Sequence, residues 1–229
     1  MSDRKAGGLM AWLVITLLFS ITALAEEGDA ERARGVVDGA LRTFESFSKA
    51  PEIIHGFGEQ VKRAQAVFIM PSQWKGGLLF GGSGGKGALL VRNKATGQWS
   101  EPAFYTLGSG TFGLQVGLQK SELVLLVMTE KGADAFLSTS FQLGGNVGFA
   151  AGPKGKGEGA ANTDILVYQR SKGVFAGAVF EGAVVAVRDN LNHAYYGEAV
   201  SPSDILVRGT VFNPQALELK RALASAAGD

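Results

Sequence analysis

"GLLFGGSGGKGALLVR" (77–92) sets glycines and one lysine between two apolar runs. The phosphate-binding loop of nucleotide enzymes needs a Gly, four residues, then Gly-Lys-Ser/Thr. Here Phe80 stands where the first glycine should be, and Gly87 where the hydroxyl should follow Lys86. A nucleotide reading therefore fails at both ends of the pattern. What is left is a Lys-bearing glycine turn joining two strands. The fold depends on whether the rest of the chain supplies more strands of that kind.

It does, after an N-terminal helical stretch. From Ala66 onward the sequence breaks into "AVFIM" (66–70), "LLF" (78–80), "ALLVR" (88–92), "FGLQVGLQ" (112–119) and "ELVLLVM" (122–128). "NVGFAAG" (146–152), "DILVYQR" (164–170), "VFAGAVF" (174–180) and "GAVVAVR" (182–188) continue the series. Gly, Pro, Asn or Ser clusters separate most of them, as in an antiparallel sheet. Phe112, Leu114, Val116 and Leu118 alternate with Gln115 and Gln119, the period of a strand with one apolar face. Glycine makes up 33 of 229 residues, about twice the usual share, in a chain that is 46% hydrophobic. With that apolar content the glycines mark turns, bulges and close backbone approaches rather than disorder.

Helices flank the strands. Ala33, Val36, Val37, Ala40, Leu41, Phe44 and Phe47 fall on one stripe of a helix capped by Asp29 and stopped by Ala50-Pro51. A shorter helix follows through Ile53, Ile54, Phe57 and Val61. "TEKGADAFLST" (129–139) predicts a helical insertion capped by Thr129. "NPQALELKRALAS" (213–225) predicts a closing helix opened by Asn213 and Pro214, with Lys220 and Arg221 toward its end. The expected fold is α+β: a Gly-rich antiparallel sheet curled into a barrel or sandwich, packed with N-terminal and C-terminal helices.

Residues 1–25 carry Arg4-Lys5, an apolar stretch from Leu9 to Leu24 and a small-residue Ala23-Leu24-Ala25 end. This is the pattern of a cleaved signal peptide, leaving one domain over 26–229 that is exported to the periplasm or outside the cell. The formal net charge is +1, and removing Asp3, Arg4 and Lys5 with the leader brings it near zero. No global basic field exists to attract nucleic acid, so any anion site has to be a local cluster. With no cysteine, stability comes from a core rather than from disulfides.

No catalytic residue is assigned. His55 lies in an apolar helix as a structural histidine. His193, in "DNLNHAYYG" (189–197) beside Asp189, Asn190 and Asn192, has no G-x-S-x-G nucleophile to serve. Zinc lacks closely spaced Cys or His ligands, and "KGKGEGAANTD" (154–164) offers calcium only Glu158 and Asp164 among lysines. Neither a metal nor a cofactor is expected.

The basic residues are more informative. Lys75, Lys86 and Arg92 flank the first glycine hairpin, Lys154 and Lys156 stud "AAGPKGKGEGAA" (150–161), and Arg170 and Lys172 bracket Ser171. Cations on glycine turns bring ammonium groups and free N–H donors to one phosphate. Trp74 and Phe175 sit beside these turns as apolar groups able to enter a membrane surface or to join the core.

These segments resemble the SYLF-domain family. The likeness runs from about Ala33 to Leu206 and rests on "GGSGGKGALLVRNKATGQWSEPAF", "GLQVGLQKSELVLLVMTEKG", "AAGPKGKGEGAANTDILVYQRSKGVFAGAVFEG" and "NHAYYG". The family includes SH3-bearing phosphoinositide binders, a yeast actin-patch protein and exported bacterial proteins. The resemblance implies non-enzymatic binding of acidic phospholipids, with phosphoinositide-type headgroups in some members and actin in others. An exported chain is not expected to meet actin, so the implied partner is an anionic phospholipid surface. The alternative is a structural or protein-interaction domain of the cell envelope.

Overall fold

The computed structural model describes residues 27–77, 80–112, 119–145, 147–151, 163–172, 174–176 and 182–228. The expected leader, 1–25, falls outside these residues. Helix α1 occupies 27–48 and α2 spans Ile54–Arg63. The sheet then begins with β1 (Ala66–Gly77), β2 (Phe80–Val91), β3 (Ala103–Phe112) and β4 (Gln119–Val127). Helix α3 (Glu130–Ala135) precedes β5 (Ser140–Gln142), β6 (Phe149–Ala151), β7 (Ile165–Ser171), β8 (Val174–Ala176) and β9 (Val184–Val187). Helix α4 (Asp189–Tyr196), a π-helical turn (Asp204–Arg208), a 3-10 turn (Pro214–Ala216) and α5 (Leu217–Ala227) complete the order.

The strands form one sheet in the order β5-β9-β3-β2-β1-β4-β7-β6, with β8 paired to β7. All pairs are antiparallel except β6 with β7. Its two outer strands, β5 and β6, are separated by only residues 143–148, which reach at most about 25 Å. Laid flat, eight strands would put those edges about 34 Å apart. The sheet must curl, and a bridge between Leu143 and Val147 holds its margins together. Curling, rather than division into two stacked sheets, is how this chain avoids long open edges.

The curl explains why the central strands read as unbroken apolar runs. Alternate residues serve two cores. On the concave face, Phe68, Met70, Leu89, Tyr105 and Leu125 surround Phe136, which follows α3. The Tyr105 hydroxyl donates to the Phe136 carbonyl at 2.7 Å, satisfying both groups in the dry interior. On the convex face, Val67, Ile69, Leu90, Val124 and Leu126 pack under α1, α2 and α5. Phe44, Phe47 and Phe57 form the aromatic seam between those helices and the sheet.

Two expected caps hold. Thr129 Oγ1 accepts from Gly132 N at 3.1 Å, and Asn213 Oδ1 accepts from Gln215 N at 3.1 Å. Asp29 is different: α1 already includes residue 27, so Asp29 lies within the helix and binds Arg32 and Asn190 instead.

The reading of "GGSGGKG" as a hairpin tip is overturned. Gly81–Gly87 belong to β2 and pair on one side with β1, on the other with β3. The cause lies in β1, whose register slips between Ile69 and Ser72, around Pro71, a residue with no N–H to give a ladder. The bulged strand presses on β2. A Cβ on Gly85 would stand 2.2 Å from Ser72 O, and one on Gly87 would stand 2.4 Å from the Phe68 ring. The glycines are there for close approach across a sheet. They do not form a loop around a ligand.

Candidate anion-binding groove

The β1 bulge also shapes the convex surface. Pro71 meets α1 at Gly39, where an added Cβ would lie 2.8 Å from the proline ring. Close seating at Gly39 leaves a groove between one stripe of α1 and the strands beyond the bulge. Arg32, Gly35, Gly39 and Arg42 recur at helical spacing along it, so the two arginines stand about 15 Å apart at its ends. Opposite them, Trp74 of β1, Lys86 of β2 and Lys120 of β4 line the other wall. The open groove has a volume of about 520 Å³.

Strand register brings the second wall together. Ser72 pairs with Lys86, Trp74 with Lys120, and Ser121 with Ser171. The Lys120 ammonium lies 6.0 Å from the centre of the Trp74 ring, and Trp74 remains 53% exposed. Lys172 follows Ser171 at the β7–β8 turn, with φ of 50°, and is exposed at the same end of the sheet.

The balance of charge in the groove is positive. Arg32 is paired with Asp29 at 2.7 Å. The Asn190 amide, then Arg32, and more weakly the charge of Lys86 hold the Asp29 carboxyl below the usual aspartate range, against a small opposing effect of burial. Among the described residues Arg42, Lys86 and Lys120 make no ion pair. The carboxylate on this wall, Glu122, is already matched: its Oε2 accepts from Arg170 Nε at 2.9 Å and Nη2 at 2.5 Å. Arg170 is fixed by packing as well, 4.8 Å from the Phe47 ring centre and 5.7 Å from that of Phe175.

Of the residues expected from sequence, Lys86, Trp74 and Lys172 come to one end of the sheet. Lys75 is in β1, opposite Ser83 and Gln119. Arg170 is held behind the groove wall by Glu122, and Phe175 is half-buried, edge-on to Phe47 at 5.0 Å. Arg92 lies beyond the far end of β2, about 20 Å along the strand from Lys86. There its guanidinium donates to the carbonyls of Lys62 and Gly97. Lys154 and Lys156 fall outside the described residues. Arg32, Arg42 and Lys120 were missed. The Arg-x2-Gly-x3-Gly-x2-Arg spacing of 32–42 was the available signal, since it is a helical stripe of small residues between cations.

A larger hollow of about 700 Å³ lies where Asn93–Ser100 meets the 205–212 segment. Its cations are each committed: Lys94 to Glu130, Arg208 to Asp204, and Lys220 to Glu101. No surplus charge is left there for an anion. Around His193, Asn192 Oδ1 accepts from Phe104 N at 2.8 Å and Asn190 binds Asp29, so these polar neighbours tie α4 down.

A glycine-bulged, curled sheet lies under a helical layer, with a cationic groove at their junction. Comparison with known proteins gives the family. Residues 108–226, just over half of the chain, match the family model described as "Ysc84: Las17-binding protein actin regulator". The chain belongs to this family, the SYLF-domain proteins. Protein YSC84 of Saccharomyces cerevisiae is 31% identical over 201 residues, covering 82% of this chain and 42% of the yeast protein. LAS seventeen-binding protein 3 of the same yeast is 33% identical over 176 residues, 73% of this chain and 38% of the relative. Human SH3 domain-containing YSC84-like protein 1 is 30% identical over 171 residues, 72% and 49% respectively. The chain thus spans half or less of the length of these relatives. None of the three is named as an enzyme.

Proposed function

We propose that this chain is a non-enzymatic module that binds acidic phospholipid surfaces through the groove between α1 and the β1–β2–β4 strands. One observation carries the reading. Arg42, Lys86 and Lys120, unpaired among the described residues, converge with exposed Trp74 on one end of the sheet. Each cation near an anionic bilayer contributes about 1 kcal/mol, so three or four recruit the protein while one does not. Trp74 supplies an amphipathic ring suited to the headgroup layer.

Flotation with phosphatidylcholine vesicles, with and without an anionic lipid, tests the proposal. The wild-type chain floats only with anionic vesicles, and Arg42→Gln/Lys86→Gln/Lys120→Gln together abolishes flotation with little change in Tm. A Lys154→Gln/Lys156→Gln/Lys172→Gln variant measures what the glycine-rich segment and the β7–β8 turn add. Undiminished flotation of the first variant would remove the groove from the binding face.

The family description favours a second reading, a domain that binds a protein partner. Co-sedimentation with filamentous actin, and capture by a Las17-type polypeptide, separate it from the first. Export is part of the primary reading, with cleavage after Ala25. An intact Met1 in the protein recovered from its producing cell would overturn that part.

A further inference from the structure

We propose that the groove selects a single phosphodiester bearing free hydroxyls, of the glycerophosphoglycerol type, over headgroups that carry several phosphates. This rests on the acidic-lipid reading and adds a choice among anions. The deciding residue is Glu122, a carboxylate in a wall that otherwise presents Lys86 and Lys120.

A site built for several phosphates would offer donors along its whole length, because every phosphate oxygen is an acceptor. At Glu122 this groove offers an acceptor instead. Arg170 occupies Oε2 with two N–H bonds, whereas among the described residues Oε1 has only the Thr43 hydroxyl, at a long 3.3 Å. The Glu122 side chain is 32% exposed and lines the groove, so Oε1 keeps capacity for another donor. A phosphate oxygen at that point would meet lone pairs facing lone pairs. A hydroxyl there would donate.

The donor is a neutral hydroxyl rather than an ammonium. Arg170 already matches the charge of Glu122, and Arg42, Lys86 and Lys120 leave the surroundings positive. An ammonium arriving at Oε1 would be repelled by those cations, which a hydroxyl is not. The phosphodiester settles among the cations, its hydroxyls reach Oε1, and Trp74 covers the mouth toward the acyl chains. The same headgroup chemistry exists free of lipid, as glycerophosphoglycerol.

The test uses phosphatidylcholine vesicles doped with phosphatidylglycerol, phosphatidylserine or a phosphatidylinositol bisphosphate, matched for total headgroup charge. Titrations with soluble glycerophosphoglycerol and with soluble inositol bisphosphate are followed by NMR. The wild-type chain should prefer phosphatidylglycerol about tenfold, the scale of one hydrogen bond to a charged group. Glu122→Gln should lose that preference and gain affinity for the bisphosphate. Equal binding to all three vesicles, or bisphosphate first, overturns the selectivity and leaves the acidic-membrane reading standing. Binding of soluble glycerophosphoglycerol more tightly than soluble inositol bisphosphate, with shifts at Lys86 and Lys120, but of no vesicle, upholds the selectivity and overturns the membrane reading, whereas the reverse order overturns the selectivity. Binding of neither overturns both. Should Glu122→Gln not fold, the wild-type ranking of the three lipids alone decides.

Discussion

A Cβ placed on Gly85 would stand 2.2 Å from the carbonyl oxygen of Ser72, closer than any side chain tolerates. Backbone, not a mobile side-chain end, is in the way, so relief requires β1 and β2 to separate. Gly85→Ala should therefore destabilise by more than the roughly 1–3 kcal/mol usual for overpacking, or prevent folding. Gly56→Ala, in α2 with nothing within 4 Å of the added methyl, should instead stabilise by about 0.5–1 kcal/mol. Urea denaturation of the two variants provides the comparison. Equal effects would contradict the close-approach account of the strand glycines.

Arg170 and Arg42 are both cations of the α1–sheet junction, but they should separate cleanly. Arg170→Gln removes both N–H bonds to the half-exposed Glu122 and the stacking on Phe47, and should cost about 1–2 kcal/mol. Arg42→Gln should change stability by less than about 0.5 kcal/mol and weaken vesicle binding. Thermal melts and flotation on both variants check the assignment.

Acid should release the start of β7. Burial of Asp164 opposes its ionisation, yet the Thr129 hydroxyl at 2.6 Å, the Gly148 N–H at 2.9 Å and the Lys131 ammonium at 3.4 Å outweigh this. Together they hold its carboxyl below the ordinary aspartate range. A lowered folded-state value stabilises the fold above the unfolded aspartate value, about 3.9. That stability is lost as pH falls from there through the folded-state value. Asp164→Asn should be less stable at neutral pH and show a flatter stability profile below about pH 4. A parallel pair of profiles would show that Asp164 is not the group being titrated.

Trp74 offers an optical readout. Trp99 is 4% exposed and already sits in an apolar setting, whereas Trp74 is 53% exposed. In a Trp99→Phe variant of the chain lacking residues 1–25, emission from Trp74 should shift to the blue on adding anionic vesicles and revert at high salt. Reversal follows because exposed charges are screened over about 8 Å at physiological ionic strength and over less in stronger salt. An unshifted spectrum alongside flotation would place the binding face elsewhere.

Much of the fold was legible because period and punctuation are local. The stripe from Ala33 to Phe47, the Thr129 and Asn213 caps and the apolar runs at 66–70, 88–92, 122–128, 164–170 and 182–188 appear where sequence placed them, whereas most of "FGLQVGLQ" (112–119) and of "VFAGAVF" (174–180) lies outside the described residues. The role of the 81–87 glycines was not legible, because it is set by a bulge in a different strand, at Pro71. The helix over 189–196 was also missed, since "DNLNHAYY" lacks a clear apolar stripe and is fixed through buried Asn192. At the site, sequence proximity to glycine singled out Lys86 but also Arg92, which points to backbone carbonyls at the other end of β2. Arg32, Arg42 and Lys120 join Lys86 only through the packing of α1 across the bulge and the pairing of β4 with β1.

Helix α5 lies after every strand it helps to cover, and Leu219 and Leu223 complete the convex core built on Val67, Ile69 and Leu90. During synthesis the whole sheet can be made, with α1 and α2 available to cover part of its outer surface, while the part that α5 covers is still bare. Until residues 217–227 emerge and dock on α2, with Lys220 reaching Glu101 at 2.7 Å, the apolar surface that Leu219 and Leu223 cover faces solvent. A ribosome stalled before Leu217 would expose that part of the core and leave a chain prone to stick to its neighbours, although every described strand had already been made.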